Sequence, residues 1–256
     1  MRRSKNITTS LEEFDKTQLV EKELIDKISL WMLRIIMNLG GAREFLDNNN
    51  RFNRDSIAYF LDAGKYVDMD SDDFKRNEVL ATLKANHVKL EKRKRFTSSS
   101  VLTKNIKQIS KLMTLNSYEE QILEFFVLIN QYEVLDETAD LLGSTLNTTQ
   151  AKKALSAILN IPIKNINDAF KSNSKLSKSS IVTLNKNSTY ALGNKIEIIN
   201  DGFADDMLNL DEEISVMIKD SVRPCEKSSL QLKDYEHISK DVEILIPYLK
   251  HAIDTK

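Results

Sequence analysis

Chemistry at a protein site needs nucleophiles, acid–base pairs or metal ligands at workable spacing, and this sequence supplies few. Its three histidines, His87, His237 and His251, lie far apart, and none stands in the H-E-x-x-H spacing that places two ligands and a base on one helix face. They read as surface or internally satisfied side chains. No G-x-S-x-G nucleophile elbow occurs. The one Gly-Lys dipeptide, Gly64-Lys65, is followed by Tyr66 where a phosphate loop needs Ser or Thr, and Tyr59 stands where its first glycine belongs. A helix stop is the better reading. Asp205-Asp206 and Asp211-Glu212-Glu213 could gather a divalent cation, but acids at solvated helix starts, where they complement the helix dipole, account for them more simply. The single Cys225 excludes a disulfide framework and a cysteine zinc cluster, and suits a reducing compartment. The expectation is therefore no catalytic residue, no bound cofactor and no metal site in this chain.

Binding chemistry has better support. The net charge of -1 hides strong segregation. Lys84, Lys89, Lys92, Arg93, Lys94, Arg95, Lys104, Lys107 and Lys111 face only Glu91 in their stretch, and residues 150–190 carry Lys152, Lys153, Lys164, Lys171, Lys175, Lys178 and Lys186 against Asp168 alone. Residues 197–243 reverse this, being predominantly acidic. Such asymmetry points to an anionic partner for the basic part, unless basic and acidic parts meet within the fold. The candidate contact residues are Lys164, Asn165, Asn167, Lys171, Lys175, Lys178 and Lys186, polar types that reach phosphates, base edges or an acidic protein surface. Asp168 would repel phosphate, and no arginine stands among them for bidentate guanine contact. Lys92 to Arg95 read as a solvated basic loop.

The elements that must position these residues are mostly helices. Hydrophobic residues make up 41% and charged residues 29%, with only 6 Gly and 3 Pro, a helix-weighted globular composition poor in glycine for a fold built on phosphate loops. The first fifteen residues are polar, with no apolar stretch after Met1-Arg2-Arg3 to form a secretory signal, and the greasiest window, Ile28 to Leu39, is too short and too interrupted to span a membrane. A cytoplasmic protein is expected. From Thr17, a helix carrying Leu24, Ile28, Trp31, Ile35 and Leu39 on one stripe should run to Gly40-Gly41. Shorter helices should hold Ile57, Phe60 and Leu61, then Phe74, Val79, Leu80 and Leu83, before a linker at Thr97 to Ser100. Ser117 with Glu120 has capping-box spacing ahead of the apolar run Ile122 to Ile129, and Asn147 with Gln150 repeats the signal.

Leu155 to Phe170 reads as helix, tight turn, helix. Asn160 falls where the turn needs a positive φ, Ile161 plugs the corner, Pro162 opens the second helix, and Ile166, Ala169 and Phe170 pack back. Ser156 stands where a small Ala is usual. The β-rich runs Ile181 to Leu184 and Lys195 to Ile199, joined by a mostly polar loop from Asn185, complete a winged-helix pattern with Lys186 at the wing tip. Further on, Met207, Leu210, Ile214 and Ile218 form one helical stripe and Val242, Leu245, Leu249 and Ile253 another; Pro224 separates them, and Pro247 interrupts the last helix or marks its start.

This order of motifs resembles the region just upstream of the AAA+ core in a group of bacterial AAA-family ATPases. The likeness rests on Tyr118 to Ile129, Ile161-Pro162, Ala169-Phe170, Ser174-Lys175-Leu176, Ser180-Ile181-Val182, Lys195 to Ile199, Gly202 to Asp205, Arg223-Pro224 and the helix from Asp241 to Ile253. It implies a mainly α protein: a flexible start over 1–15, a helical bundle over 16–113, a winged-helix-like domain over 114–200 and a helical segment over 201–256 leading toward an AAA+ core that lies beyond Lys256. The role implied is a non-catalytic recognition or regulatory domain whose partners are its own core and an unidentified protein client, with nucleic acid possible; ATP and magnesium belong only to that core. The alternative is a free-standing winged-helix DNA-binding regulator.

Overall fold

The computed structural model describes residues 15–49, 51–70, 72–186, 189–200, 202–217, 231, 234 and 237–254. The chain divides into two units, residues 1–221 and 222–256. The first is mainly helical with one two-stranded sheet. The expected flexible start, apart from its last residue, and the expectations resting on Ile218, Pro224 and Cys225 lie outside the described residues.

Helix α1 (Ile25–Asn38) is buried almost all round from Ile28 to Ile36, because its apolar residues exceed one stripe. It begins eight residues later than the periodicity suggests: Lys16–Gln18 form a separate 3-10 turn, capped by the Asp15 carboxylate on the Thr17 amide at 2.9 Å. It ends as expected, with Gly40 at a φ of 83°, where a side chain would be strained. Short α2 (Ala42–Phe45) and α3 (Asp55–Phe60) follow, then α4 (Arg76–Glu91). The exposed Lys92 to Arg95 loop leads into α5 (Ser100–Met113), a helix not anticipated from the sequence, which buries Leu102, Ile106 and Ile109 at i, i+4 and i+7.

Helix α6 (Ser117–Gln131) packs between α5, α9 and α1 through an aromatic chain. Trp31 meets Phe125 edge-on at 5.1 Å, and Phe126 stacks on Phe170 at 5.9 Å. The cap of α6 is one residue earlier than expected. Asn116, not Ser117, accepts the Tyr118 and Glu119 amides, and Glu119 reaches back to the Asn116 amide at 2.9 Å. Glu120 turns away to Lys107 and Ser110. Helix α7 (Glu133–Asp140) is followed by α8 (Thr148–Leu159), whose Asn147–Gln150 capping box forms as the spacing predicts. Then come α9 (Ile163–Ala169), α10 (Lys175–Ser179), β1 (Val182–Leu184), α11 (Leu192–Lys195) and β2 (Ile196–Ile198). The strands pair antiparallel with Thr183 opposite Glu197. The stripe through Met207, Leu210 and Ile214 is not one helix but two, α12 (Phe203–Asn209) and α13 (Ile214–Met217), which lie against α5.

A clamp centred on the buried Arg34 ties α1 to α4 and α8. The Arg34 guanidinium donates to both Glu91 carboxylate oxygens, at 2.7 and 2.9 Å, and to the Ile158 carbonyl near the end of α8 at 2.7 Å. His87 adds a contact to Glu91 at 3.2 Å, the satisfied role foreseen for it.

In the second unit, α14 (Ser239–Asp254) runs straight through Pro247, which therefore neither ends nor begins it. No helix among the described residues is long and apolar enough to cross a membrane.

Candidate partner interface

The turn between α8 and α9 sets the site. Asn160 closes α8 in the left-handed region, φ 53° and ψ 42°, and the Ile161 amide returns to the Ser156 carbonyl at 3.1 Å. The Ser156 hydroxyl donates to the Ile161 carbonyl at 2.6 Å, so the residue that departs from the usual small Ala closes the corner itself. Pro162 then caps α9 without a donor to waste. Ile166, Ala169 and Phe170 face inward and are buried, which obliges the other side of α9 to face water.

That outer side carries Lys164, Asp168 and Lys171 at i, i+4 and i+7, with Asn167 exposed and Asn165 half-buried beside them. Lys171 pairs with Asp168 at 2.7 Å. Its hydrogen bond, with Lys164 close by, holds the Asp168 carboxyl below the usual carboxylate range. The stripe is thus cationic at both ends and acidic in the middle. Ser174 caps α10, accepting from the Ser177 amide at 3.2 Å. Lys175 and Lys178 are both exposed, and the Lys175 ammonium donates to the Thr114 carbonyl just past α5 at 2.5 Å, where it complements the negative helix end.

Lys186 is exposed at the edge of the described part of the β1–β2 connection. Residues 187 and 188 of the β1–β2 connection lie outside the described residues; beyond them Tyr190 bridges back to Leu146, with amide to carbonyl distances of 2.9 and 3.4 Å, and Leu192 and Lys195 are fully buried in α11. This fold-back sets Lys186 beside Lys152 of α8. Burial, reinforced by the Lys186 charge, lowers the Lys152 amine from its ordinary range, and that amine sits 6.0 Å from the Phe170 ring. A single buried Leu192 in a polar stretch was the only hint in the sequence that the loop is anchored.

Three of the other basic residues singled out from composition are matched internally. Lys104 pairs with Asp211, Lys107 with Glu120 at 2.6 Å, and Arg93 with Asp26. Basic and acidic segments do face each other along α5 and the α12–α13 turn, but not along α9 and α10.

Between the start of α6 and α9–α10 lies a cleft of about 350 Å³, bordered by Asn116, Tyr118, Asn165, Asp168, Asn173 and Lys175. Its α6 side was not legible in the sequence, since the capping signal locates a helix start without saying what stands opposite. Among the described residues no three His, Cys, Asp or Glu side chains come together as metal ligands. No family model, curated protein or solved structure matches this chain.

Proposed function

We propose that the chain is a non-catalytic recognition or regulatory domain that takes a protein partner on its α9–α10 face, and that it serves a cytoplasmic AAA+ ATPase whose own core is its second partner. The observation that carries this reading is the run of exposed lysines Lys164, Lys171, Lys175 and Lys178 along α9 and α10, with Asp168 as the acid among them, whereas on α5 Lys104 and Lys107 are set against Asp211 and Glu120. A surface kept cationic in an otherwise balanced molecule suits an acidic partner. ATP and magnesium would be bound by that core and by no residue described here. The test of the motor is genetic: the reading frame should continue past Lys256 into a Gly-Lys-Ser or Gly-Lys-Thr loop, and a stop codon at that point would sink it.

A free-standing DNA-binding regulator is the second reading, favoured by the left-handed Asn160 between two helices and by β1–β2 after them, the order of a winged helix. The acid centred on the α9 stripe weighs toward a protein partner. Duplex binding measured at two salt concentrations decides. Phosphate contacts predict a steep salt dependence that flattens when Lys164, Lys171 and Lys178 are replaced by Ala.

A further inference from the structure

The cleft between α6 and α9–α10 is built from groups that the fold leaves unused. Neither the Asn165 nor the Asn173 carboxamide bonds to a described residue, although Asn165 is half-buried and both border the same cavity. Asp168 holds Lys171, Ser174 holds the Ala169 carbonyl at 2.6 Å, and Glu119 is engaged in the Asn116 cap. Tyr118 stands 37% exposed at the rim. At about 350 Å³ the cavity is at the small end of ligand clefts, about 300–1,000 Å³, so it admits a short stretch of extended chain rather than a folded surface.

Resting on the protein-recognition reading above, we propose that this cleft binds an extended acidic peptide segment of the partner, its main chain on the Asn165 and Asn173 carboxamides and its carboxylates on Lys164, Lys175 and Lys178. Each carboxamide offers both donors and an acceptor, the pairing that a peptide group satisfies in both directions. Lys175 spends one donor on Thr114 and keeps two for a carboxylate. Asp168 decides between polymers. A nucleic-acid backbone presents acceptors only and would set phosphate against this carboxylate, whereas a peptide brings N–H donors to it and spaces its own charges apart.

The probe is a fluorescein-labelled octapeptide of alternating glutamate and serine, compared by anisotropy with its glutamine counterpart and with a labelled short DNA duplex, on the full chain. The glutamate peptide should bind, and the glutamine peptide should not. The double change Asn165→Ala, Asn173→Ala should weaken binding about tenfold, the loss of two ordinary hydrogen bonds. In the unaltered protein the side-chain amide resonances of Asn165 and Asn173 should shift as peptide is added, a readout that needs no variant to fold. If Lys164→Ala, Lys178→Ala abolishes peptide binding while the asparagine changes and resonances stay silent, the cleft is not the site, though the lysine face survives as the recognition surface. If the duplex binds and the peptide does not, or neither binds, both readings fail.

Discussion

Asn160 takes a left-handed conformation that a Cβ makes unfavourable for most residues, and asparagine tolerates it through its short polar side chain. Replacing Asn160 by Gly should be neutral or stabilising, while Asn160→Ala should cost about 1 kcal/mol, both read from urea midpoints. Arg34 is a harsher position. Its guanidinium is buried and satisfies two partners, so Arg34→Met strands the Ile158 carbonyl and breaks a bidentate ion pair to the solvent-exposed Glu91, with an expected loss of roughly 1–2 kcal/mol. Asp136 on α7 works the other way. Burial, with Asp140, Glu137 and Glu133 adding repulsion, pushes its carboxyl up to about 6, and Gly193 of α11 lies directly against it. Because the folded state holds this proton more tightly than the unfolded chain, stability falls as pH rises from about 4 to about 6 and is level above. Asp136→Asn should therefore stabilise at pH 8, by about 1 kcal/mol because the half-exposed carboxyl is partly screened by solvent, and do nothing below pH 4. An effect independent of pH would show that Asp136 is not the strained group.

At the scale of elements, end signals and periodicity act separately. The Asn116 cap supplies two acceptor contacts to exposed amides of α6, so Asn116→Ala should lower stability by about 1 kcal/mol, whereas Ser117→Ala, the change that the Ser117–Glu120 spacing singles out, should matter little. Both motifs satisfy the same S/T/N-x-x-E pattern. Only the backbone direction at Asn116, φ −87° and ψ 170°, selects between them. Pro247 removes one amide donor from the middle of α14, so Pro247→Ala should slow amide exchange in that helix, by up to about 3 kcal/mol in opening free energy. Helix α9 has only seven residues and no side-chain cap, and it holds its shape through the packing of Ile166, Ala169 and Phe170. The lysine stripe on its outer side is thus positioned from the inside.

Across the whole first unit, α1 is shared. It packs against α4, α7 and α8, and Trp31 fills the contact to Phe125 of α6. A fragment beginning at residue 114 would expose Phe125 and the α1-facing sides of α7 and α8, and should lack a cooperative unfolding transition and near-ultraviolet circular dichroism that the full chain shows. Electrostatics obeys the same logic at this scale. The near-zero charge is a sum of basic and acidic segments, and folding sets three of the basic residues, Arg93, Lys104 and Lys107, against Asp26, Asp211 and Glu120, while on α9 and α10 the one ion pair is the local Lys171–Asp168.

Helices α1, α3, α4, α6, α8, α9 and α14, the left-handed turn at Asn160, the β1–β2 pair and the lysines on α9 were written in local sequence, because caps, turn residues and the 3.6-residue period act over a few neighbours. Helix α5 carries the same signal, Leu102, Ile106 and Ile109 at i, i+4 and i+7, but its lysines and the Thr97 to Ser100 stretch ahead of it read as a basic linker. The lengths of α1 and of the Met207 stripe were overstated since apolar spacing persists through turns that the chain takes for tertiary reasons. What only the tertiary structure decided is which lysines find acids, where Lys186 goes, and that the start of α6 stands across a cleft from Asn165 and Asn173. Those outcomes depend on contacts between residues far apart in the chain, and no local period or spacing encodes such distances.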